Sequence, residues 1–400
     1  MTKIFLGVLQ FGKEYVNIID KETDFLFEKP SKMNKNNITI YDIAREAGAS
    51  PATVSRVLNN SSHPVKQEMR ERILGISRQL GYIPNLQARN LKNQTSSTIG
   101  IIIPSIENPF YPSIVRGIED EIVSRNCHMM LSSCDRDIEL TNYSIGNMLA
   151  VNIQGIISVY MDEVPEALMK LVDRGGISLN VVSNGVCLPN TYTVLVDKEE
   201  ECALAVRHLL KLGHRRIAFL IGGLDNSIRQ KRLSGFQKAL GAAGISCEEK
   251  YIYVFGKELQ TDSSENAVRG YLLTKAMLER TPEVTAFICL NDIMALGALR
   301  ALREVGKKVP DDYSMISFDD LYFSDTVFPA LTTVGLDKYT WGRKLAQYYF
   351  ELQEHPSGRR AAVREDEVLV PSRLIVRQST KSRAEPCIGS QAAWRDSRHT

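Results

Sequence analysis

From Ser97 onward, short apolar runs alternate with longer segments whose apolar residues recur at helical spacing. The short runs predict strands at 99–103, 129–132, 155–159, 178–182, 216–221, 251–255, 286–289 and 314–318. The longer segments predict helices at 111–125, 138–151, 198–212, 229–243, 264–280 and 291–305. Such alternation is typical of parallel sheets covered by helices. Two similar predicted strands, 99–103 and 216–221, are separated by about the length of one lobe. Their spacing favours two doubly wound subdomains, each beginning with one of these strands.

The segment before this body has a purely helical pattern. Three apolar stripes predict three short helices. The first stripe is Ile40, Ile43, Ala44 and Ala47, the second is Val54, Val57 and Leu58, and the third is Met69, Ile73, Ile76 and Leu80. Gly48 can end the first helix, while Ser50 and Pro51 can begin the second. Thr39 can accept from first-turn amides, and Asp42 completes a capping box. This is typical of a helix-turn-helix, whose second helix lies in the DNA major groove, although alone it fits an ordinary helical hairpin equally well.

Charge is concentrated at this helical end. The 400 residues carry a formal net charge of +2. Residues 33–97 contain nine Lys or Arg and four Asp or Glu, a net of +5, so the remainder carries −3. A basic module on a mildly acidic body fits phosphate binding by one end of the protein.

Several other function classes lack their sequence signatures. The seven cysteines form no C-x-x-C pair and no cluster with histidines, which favours reduced thiols in a cytoplasmic protein. No apolar run approaches a membrane span, and the first residues do not form a convincing signal peptide. The chain contains no nucleophile elbow, metal-ligand spacing or dinucleotide fingerprint. We therefore expect neither an enzyme nor a metal or cofactor site.

Ordered motifs along most of the chain resemble one family. They include Asn-Pro-Phe-Tyr at 108–111 and Asn-Asp-Ile-Met-Ala-Leu-Gly at 291–297. Further motifs lie at 38–59, 81–92, 117–119, 155–157, 213–218, 232–236, 318–320 and 329–334. Each is weak alone, but their joint order closely resembles the lactose-repressor (LacI/GalR-type) family of bacterial transcription regulators, from about residue 38 to 378. The resemblance implies an all-α helix-turn-helix headpiece and an α/β, two-lobed, periplasmic-binding-protein-like body with doubly wound parallel sheets. In that fold the chain crosses between the lobes three times.

The resemblance also implies a DNA-binding surface. Arg56 is expected to read a base edge, because arginine can bind guanine O6 and N7 together. Pro51 and Ala52 occupy the family's main specificity positions. Phosphate contacts are expected from Thr39, Tyr41, Ser50, Thr53, Ser55, Asn59 and Tyr82.

Residues 83–96 correspond to the family's hinge helix and linker. In the family this helix forms when two copies meet in the minor groove, where a leucine wedges between base pairs and kinks the DNA. Leu91 matches that leucine, Ala88 the small residue that packs against it, and Asn85 and Arg89 the neighbouring contacts. A plain interdomain linker is the alternative, but the spacing of Ala88 and Leu91 after Asn85 favours the hinge helix.

Polar residues beyond the strand ends match the family's effector pocket. In doubly wound sheets ligands bind outside the carboxyl ends of the strands, and a two-lobed protein can close over them. The expected effector-binding residues are Asn108, Phe110, Tyr111, Ser183, Arg232, Asn291 and Asp319. Asp319 can accept from two sugar hydroxyls or two N–H groups of a base, Arg232 can donate to oxygens, and Phe110 can stack. Asn291 is equally suited to cap the following helix, and Ser183 stands where several relatives carry an acidic residue.

These features combine into one expected organisation. Residues 38–82 form the DNA-binding domain and 97–380 the effector-binding and dimerisation domain. Residues 1–32 match neither domain and are expected to be unstructured or an upstream start-site artefact, while 381–400 are expected to be a disordered tail. The tail lacks leucine heptads, which favours a homodimer. We predict a cytoplasmic repressor of operator DNA controlled by a small-molecule effector, with a sugar first and a nucleobase second. A sugar-binding protein without a DNA role is a weaker alternative, because the headpiece is fused in frame.

Overall fold

The computed structural model describes residues 38–59, 63–82, 97–159, 166–173, 177–183, 192–195, 197–224, 226–254, 266–354 and 371–383. These residues fall into two compact units, one within residues 1–89 and the other within residues 90–400. The smaller unit contains α1 (Ile40–Ala47), α2 (Pro51–Leu58) and α3 (Gln67–Gln79). Its buried core consists of Ile43, Ala44, Ala47, Val54, Val57 and Ile73. The three predicted apolar stripes therefore meet in one small core.

The larger unit begins with a lobe built on an all-parallel sheet. Its elements are β1 (Thr98–Ile103), α4 (Phe110–Ser124), β2 (His128–Ser133), α5 (Ile138–Ala150), β3 (Gly155–Ser158), α6 (Glu166–Asp173), β4 (Ser178–Ser183) and β5 (Tyr192–Leu195). The strand order is β2-β1-β3-β4-β5, and Ile99 pairs with both Met129 and Gly155. The chain reverses its direction of strand addition after β2, as doubly wound sheets do.

The second lobe is built on a six-stranded sheet of order β11-β10-β9-β8-β6-β7. Its elements are α7 (Lys198–Lys211), β6 (Ile217–Gly222), α8 (Ser227–Ala242), a 3₁₀ turn (Glu249–Tyr251), β7 (Ile252–Val254), α9 (Asn266–Arg280), β8 (Ala286–Cys289), α10 (Asp292–Glu304), β9 (Ser314–Phe318), β10 (Thr332–Gly335) and β11 (Arg373–Ile375). Within this sheet only the pairing of β10 with β11 is antiparallel among the described strands.

The described chain crosses between the lobes three times. It passes from β5 to α7, then from β10 to α11 (Lys338–Glu354), and finally from α11 to β11. Helix α11 belongs to the first lobe because Trp341, Leu345 and Tyr349 share a core with β1 and α4. The two-lobed doubly wound body predicted from the strand–helix alternation is confirmed.

Each lobe contains two helices that contact through reciprocal glycines. In the first lobe, a Cβ on Gly117 of α4 would overlap the carbonyl oxygen of Tyr339, and one on Gly342 of α11 would overlap that of Ile114. In the second lobe, Gly270 of α9 faces the carbonyl of Met294 in the same way, and Gly297 of α10 faces that of Ala267. Only glycine permits backbones to approach this closely.

The ordered chain continues beyond the predicted boundary at residue 380. Lys381 donates its amide hydrogen to Ser314 Oγ at 3.0 Å, and the Arg383 amide donates to the Leu212 carbonyl at 2.8 Å. Two of the first three residues of the expected tail, Lys381 and Arg383, are thus hydrogen-bonded to the second lobe. Residues 384–400 and 1–32 lie outside the described residues.

Candidate DNA-binding and effector sites

The start of α1 is fixed by Thr39 and Asp42. The Thr39 amide and hydroxyl both donate to Asp42 Oδ2, at 3.0 Å and 2.7 Å. Thr39 and Asp42 thus form the capping box that the sequence predicted. These two bonds, led by the backbone one, lower the pKa of Asp42. A phosphate contact by Thr39 would have to replace or share its bond to Asp42.

The turn between α1 and α2 follows the predicted chemistry. Gly48 ends α1 in the left-handed region at φ 62°, where an L residue would be strained. Ser50 Oγ accepts from the Thr53 amide at 3.1 Å and contacts Thr53 Oγ1 at 2.9 Å. Pro51 occupies the first turn, where its missing N–H costs nothing. The second helix of the motif is thus rigidly capped.

The predicted DNA-contacting side chains differ in exposure. The exposed ones are Thr39, Tyr41, Ser50, Ala52, Arg56 and Asn59. The half-buried ones are Pro51, Thr53, Ser55 and Tyr82. Arg56 forms no hydrogen bond or ion pair with any residue in the described ranges. Asn59 instead donates to the Ser55 carbonyl at 2.8 Å and to Ser55 Oγ at 3.2 Å. Arg56 therefore offers all its donors to a partner, whereas Ser55 and Asn59 also stabilise the end of α2.

The predicted hinge residues Asn85, Ala88, Arg89 and Leu91 lie outside the described residues. Their minor-groove roles therefore stay predictions from the sequence.

A cavity of about 470 Å³ lies between the two lobes of the body. Six of the seven predicted effector residues line it, and they are Asn108, Phe110, Tyr111, Arg232, Asn291 and Asp319. Ser183 is the last residue of β4, and its side chain is outside the described part of the chain.

The first lobe gives the cavity an aromatic wall. The ring of Phe110 packs edge-on against Tyr111 at 5.3 Å between centroids and against Trp341 at 6.4 Å. Burial raises the pKa of the Tyr111 phenol; Arg136 opposes this rise and the Asp319 carboxylate adds to it. Aromatic faces of this kind can pack against the apolar face of a sugar ring or a base.

The second lobe gives the cavity a charged floor. Arg232 is buried, and it donates to the Leu290 carbonyl at 2.7 Å and to Glu201 Oε2 at 3.1 Å. Its guanidinium also lies 4.1 Å from the centroid of the Phe318 ring. Asp319 Oδ1 is 3.6 Å from Arg232 Nη2, beyond hydrogen-bond distance. Arg232 is thus held by Glu201 and Leu290 rather than by Asp319.

Asp319 has an unusual backbone and environment. It follows β9 directly and has φ 103°, a conformation that L residues rarely adopt. Its side chain is 12% exposed, and among the described residues no donor hydrogen-bonds to its carboxylate. Burial raises the pKa of Asp319, while Arg232 and Lys198 oppose that rise. A carboxylate in this state can accept hydrogen bonds from a ligand.

Two predicted effector residues also cap helices. Asn291 Oδ1 accepts from the Met294 amide at 2.8 Å and begins α10, which is the alternative that the sequence left open. Asn108 Oδ1 accepts from the Phe110 amide at 3.0 Å, immediately before α4. Each uses one acceptor for the cap and retains its amide donors.

Other lining residues were not predicted from the sequence. They are Glu107, Asp135, Arg136, Lys198, Asn226, Arg229, Asn266, Arg269 and Trp341, with apolar neighbours. Asp135 and Arg136 follow the end of β2, so the strand-end argument applied to Asp319 would have found them. Trp341 carries no comparable signal, because it lies inside a helix far along the chain.

A second buried carboxylate stabilises the edge of this floor. Asp292 is fully buried and accepts from the Leu321 amide at 2.7 Å, from Ser324 Oγ at 2.7 Å and from Thr333 Oγ1 at 2.9 Å, and it also binds Ser317. Burial raises its pKa to about 6, with a further contribution from Asp319. These bonds join β9, β10 and the loop between them to the start of α10.

The described residues lack two features that other classes of protein require. None of the helices there is long and apolar enough to cross a membrane. The same residues contain no group of three or more His, Cys, Asp or Glu side chains placed to hold a metal ion.

Comparison with known proteins agrees with both halves of the architecture. A family model for bacterial regulatory proteins of the lacI family matches residues 39–85, and one for the periplasmic binding protein-like domain matches residues 206–380. Catabolite control protein A of Priestia megaterium is 33% identical over 350 residues, which cover 86% of this chain and 100% of that protein.

Solved structures give the same result. A lac repressor dimer bound to operator and the anti-inducer ONPF matches with a TM-score of 0.74 and 29% identity, over 86% of this chain and 100% of that one. A LacI family transcriptional regulator from Enterococcus faecium with bound ribose matches with a TM-score of 0.60 and 28% identity, over 72% of this chain and 99% of that one. The predicted fold class is confirmed. The chain belongs to the LacI family, whose members are DNA-binding transcriptional regulators and not enzymes.

Proposed function

We propose that the protein is a homodimeric repressor whose operator affinity is controlled by a sugar or sugar derivative bound in the cavity between the lobes. One observation carries the effector assignment. The buried Asp319 carboxylate faces a cavity of about 470 Å³ without a hydrogen-bond donor among the described residues. A buried carboxylate without donors is costly, and sugar hydroxyls would remove that cost.

The opposite wall supports a ring-shaped ligand. Phe110 and Trp341 present aromatic surfaces from the first lobe, while Arg232 and Asp319 present a donor and an acceptor from the second. A pyranose or furanose ring has both an apolar face and hydroxyls at its edge, so it suits both walls together. The ribose bound to the Enterococcus faecium regulator supports a sugar in this kind of fold.

The headpiece supports the DNA assignment. Arg56 is exposed on α2 beside Ala52, and α2 is capped rigidly by Ser50. Such a helix can enter the major groove with its backbone already ordered. We propose base contact by Arg56, apolar contact by Pro51 and Ala52, and phosphate contacts by the surrounding hydroxyls. The lac repressor dimer on operator supports a homodimer bound to two half-sites. A protein with this role would act in the cytoplasm, where the chromosome lies.

A ligand panel tests the effector assignment. Purified protein is titrated with D-ribose, D-glucose, D-glucose 6-phosphate, adenine and hypoxanthine by calorimetry and thermal unfolding. We expect at least one sugar to bind and to raise the unfolding temperature, since a ligand at 100 times its Kd stabilises the folded state by about 2.7 kcal/mol. Binding of the bases alone would show that the effector is a nucleobase. If none of the three sugars binds, the sugar proposal is rejected.

Selection of binding sites from random DNA tests the repressor assignment. We expect a near-palindromic site, bound by two chains, with affinity that falls steeply as salt rises. Sedimentation of the complex gives the number of chains. Selection of asymmetric sites, or binding by a single chain, would contradict the homodimeric operator complex.

A further inference from the structure

Each of the three crossings between the lobes carries a polar side chain that bonds to Glu201 or to Asp319. Lys198 is the first residue of α7, just after β5. Lys338 is the first residue of α11, just after β10. Ser372 directly precedes β11, where the chain returns to the second lobe. All three side chains belong to one polar network.

Glu201 is the centre of that network. It is buried, at 3% exposure. Its Oε1 accepts from Lys198 Nζ at 2.6 Å and from Ser372 Oγ at 2.8 Å, and its Oε2 accepts from Arg232 Nη2 at 3.1 Å. One carboxylate thus joins the first crossing, the third crossing and an arginine that lines the cavity.

The network continues to the second crossing through Asp319. Arg232 faces the Asp319 carboxylate at 3.6 Å. Lys338 Nζ donates to the backbone carbonyls of Asp319 and Asp320, at 2.6 Å and 2.8 Å. A continuous path therefore runs from Ser372 through Glu201, Arg232 and Asp319 to Lys338.

Charge balance makes this path sensitive to movement. Its buried side chains comprise two cations, Lys198 and Arg232, and two carboxylates, Glu201 and Asp319. Separating one member would leave a buried charge without its partner, which is strongly unfavourable. A rotation of the lobes would change the backbone at the crossings, and a ligand on Asp319 would act on the other end of the same path.

We propose that Glu201 is a positioning residue that couples the effector pocket to all three crossings between the lobes. This inference rests on the proposed function, in that it takes the cavity as the effector site. Glu201 holds Arg232 and Lys198 in the cavity floor and joins them to Ser372, so that occupation of the pocket and the angle between the lobes change together.

Hydrogen exchange on the ligand-free, full-length protein tests this coupling. Ser372→Ala removes the contact of the third crossing, and we expect faster exchange at residues 336–340, which form the second crossing. Asp319→Asn changes the pocket end, and we expect faster exchange at 373–377. Each increase should be about three- to tenfold, the factor that loss of one hydrogen bond corresponds to. Glu201→Gln should produce both increases.

The matched control is Glu200→Gln, one residue earlier in α7, where the exposed carboxylate pairs with Arg207 and with no other residue in the described part of the chain. It should leave both segments unchanged. Increases confined to the neighbourhood of each substitution would show a merely structural role and overturn the inference, and so would equal effects in the control. If no sugar binds but the exchange rates change as expected, the sugar assignment is rejected and the coupling by Glu201 is retained. If a sugar binds but the exchange rates do not change as expected, the coupling alone is rejected.

Discussion

Asp319 Oδ1 lies 3.6 Å from Arg232 Nη2, although both side chains are buried and oppositely charged. The guanidinium is directed instead to Glu201 and to the Leu290 carbonyl. The pair therefore neutralises charge across the cavity floor without using the hydrogen-bonding capacity of Asp319. This separation leaves the carboxylate to the ligand.

Asp319→Ala should weaken binding of the sugar identified by the panel at least about tenfold, because hydrogen bonds to a charged group are worth roughly 1.5–3 kcal/mol each. Operator binding without sugar should persist, while the response to sugar should be lost. Calorimetry and mobility shifts measure the two effects. Asp311→Ala is the control, since that aspartate is exposed and pairs with Lys381. Unchanged sugar affinity would mean that the carboxylate is structural.

Arg56→Ala should remove sequence preference more than it weakens nonspecific binding. A bidentate contact to guanine is worth about 1–3 kcal/mol of discrimination, whereas random DNA is bound through phosphates. The ratio of affinities for operator and random DNA measures this effect. Arg45→Ala, on α1 and paired with Asp42 at 2.8 Å, is the control. Equal losses on both DNAs would count against base reading by Arg56.

Leu91→Ala should reduce operator affinity and DNA bending while sugar affinity is retained. The reason is that a leucine wedge acts only when two hinge helices meet on the minor groove. Circular-permutation mobility shifts report the bend, and calorimetry reports the sugar. Leu86→Ala provides a comparison within the same segment. If Leu91→Ala retains both the DNA bend and the operator affinity, residues 83–96 are a linker without a role in the minor groove.

Asp292 should contribute more to the free energy of unfolding at pH 5 than at pH 7. Its folded-state pKa is about 6, above its usual value of 3.8, so the folded protein takes up this proton at higher pH than the unfolded chain. The contribution to stability therefore grows as pH falls from 7 to 5, by about 1 kcal/mol. Denaturant unfolding of the wild type and of Asp292→Asn at both pH values measures the difference. If the difference in unfolding free energy between the wild type and Asp292→Asn is the same at pH 5 as at pH 7, or smaller, the prediction is wrong.

The sequence predicted the apolar strands well and the hydroxyl-rich strand poorly. The bounds predicted for β8 and β9 agree with the structure, because both strands consist mainly of apolar residues and are buried on both faces. Strand β10 was missed, since its Thr332 and Thr333 are buried through hydrogen bonds to Ser379 and Asp292 rather than through apolar contacts. Burial of this kind leaves no apolar pattern in the chain.

The aromatic wall shows a different limit of sequence reasoning. Trp341, Leu345 and Tyr349 do recur at helical spacing, so helix α11 itself was detectable. Its partner α4, however, lies more than 200 residues earlier. No local pattern indicates that α11 returns to the first lobe, and without that pairing Trp341 cannot be assigned to the cavity. Asp319 and Phe110 were accessible because strand ends locate them.

The reciprocal glycines have a consequence for how ligand preference can change over time. Gly117 and Gly342 fix the helices that carry Phe110 and Trp341, while Gly270 and Gly297 fix those that begin at Asn266 and Asn291. A larger residue at any of the four would push whole helices apart. Substitutions at these four positions would therefore disrupt the fold. New specificity must then arise by exchanging side chains on a conserved frame. Directed evolution of this regulator toward another inducer should accordingly collect its substitutions at the helix beginnings and leave the four glycines untouched.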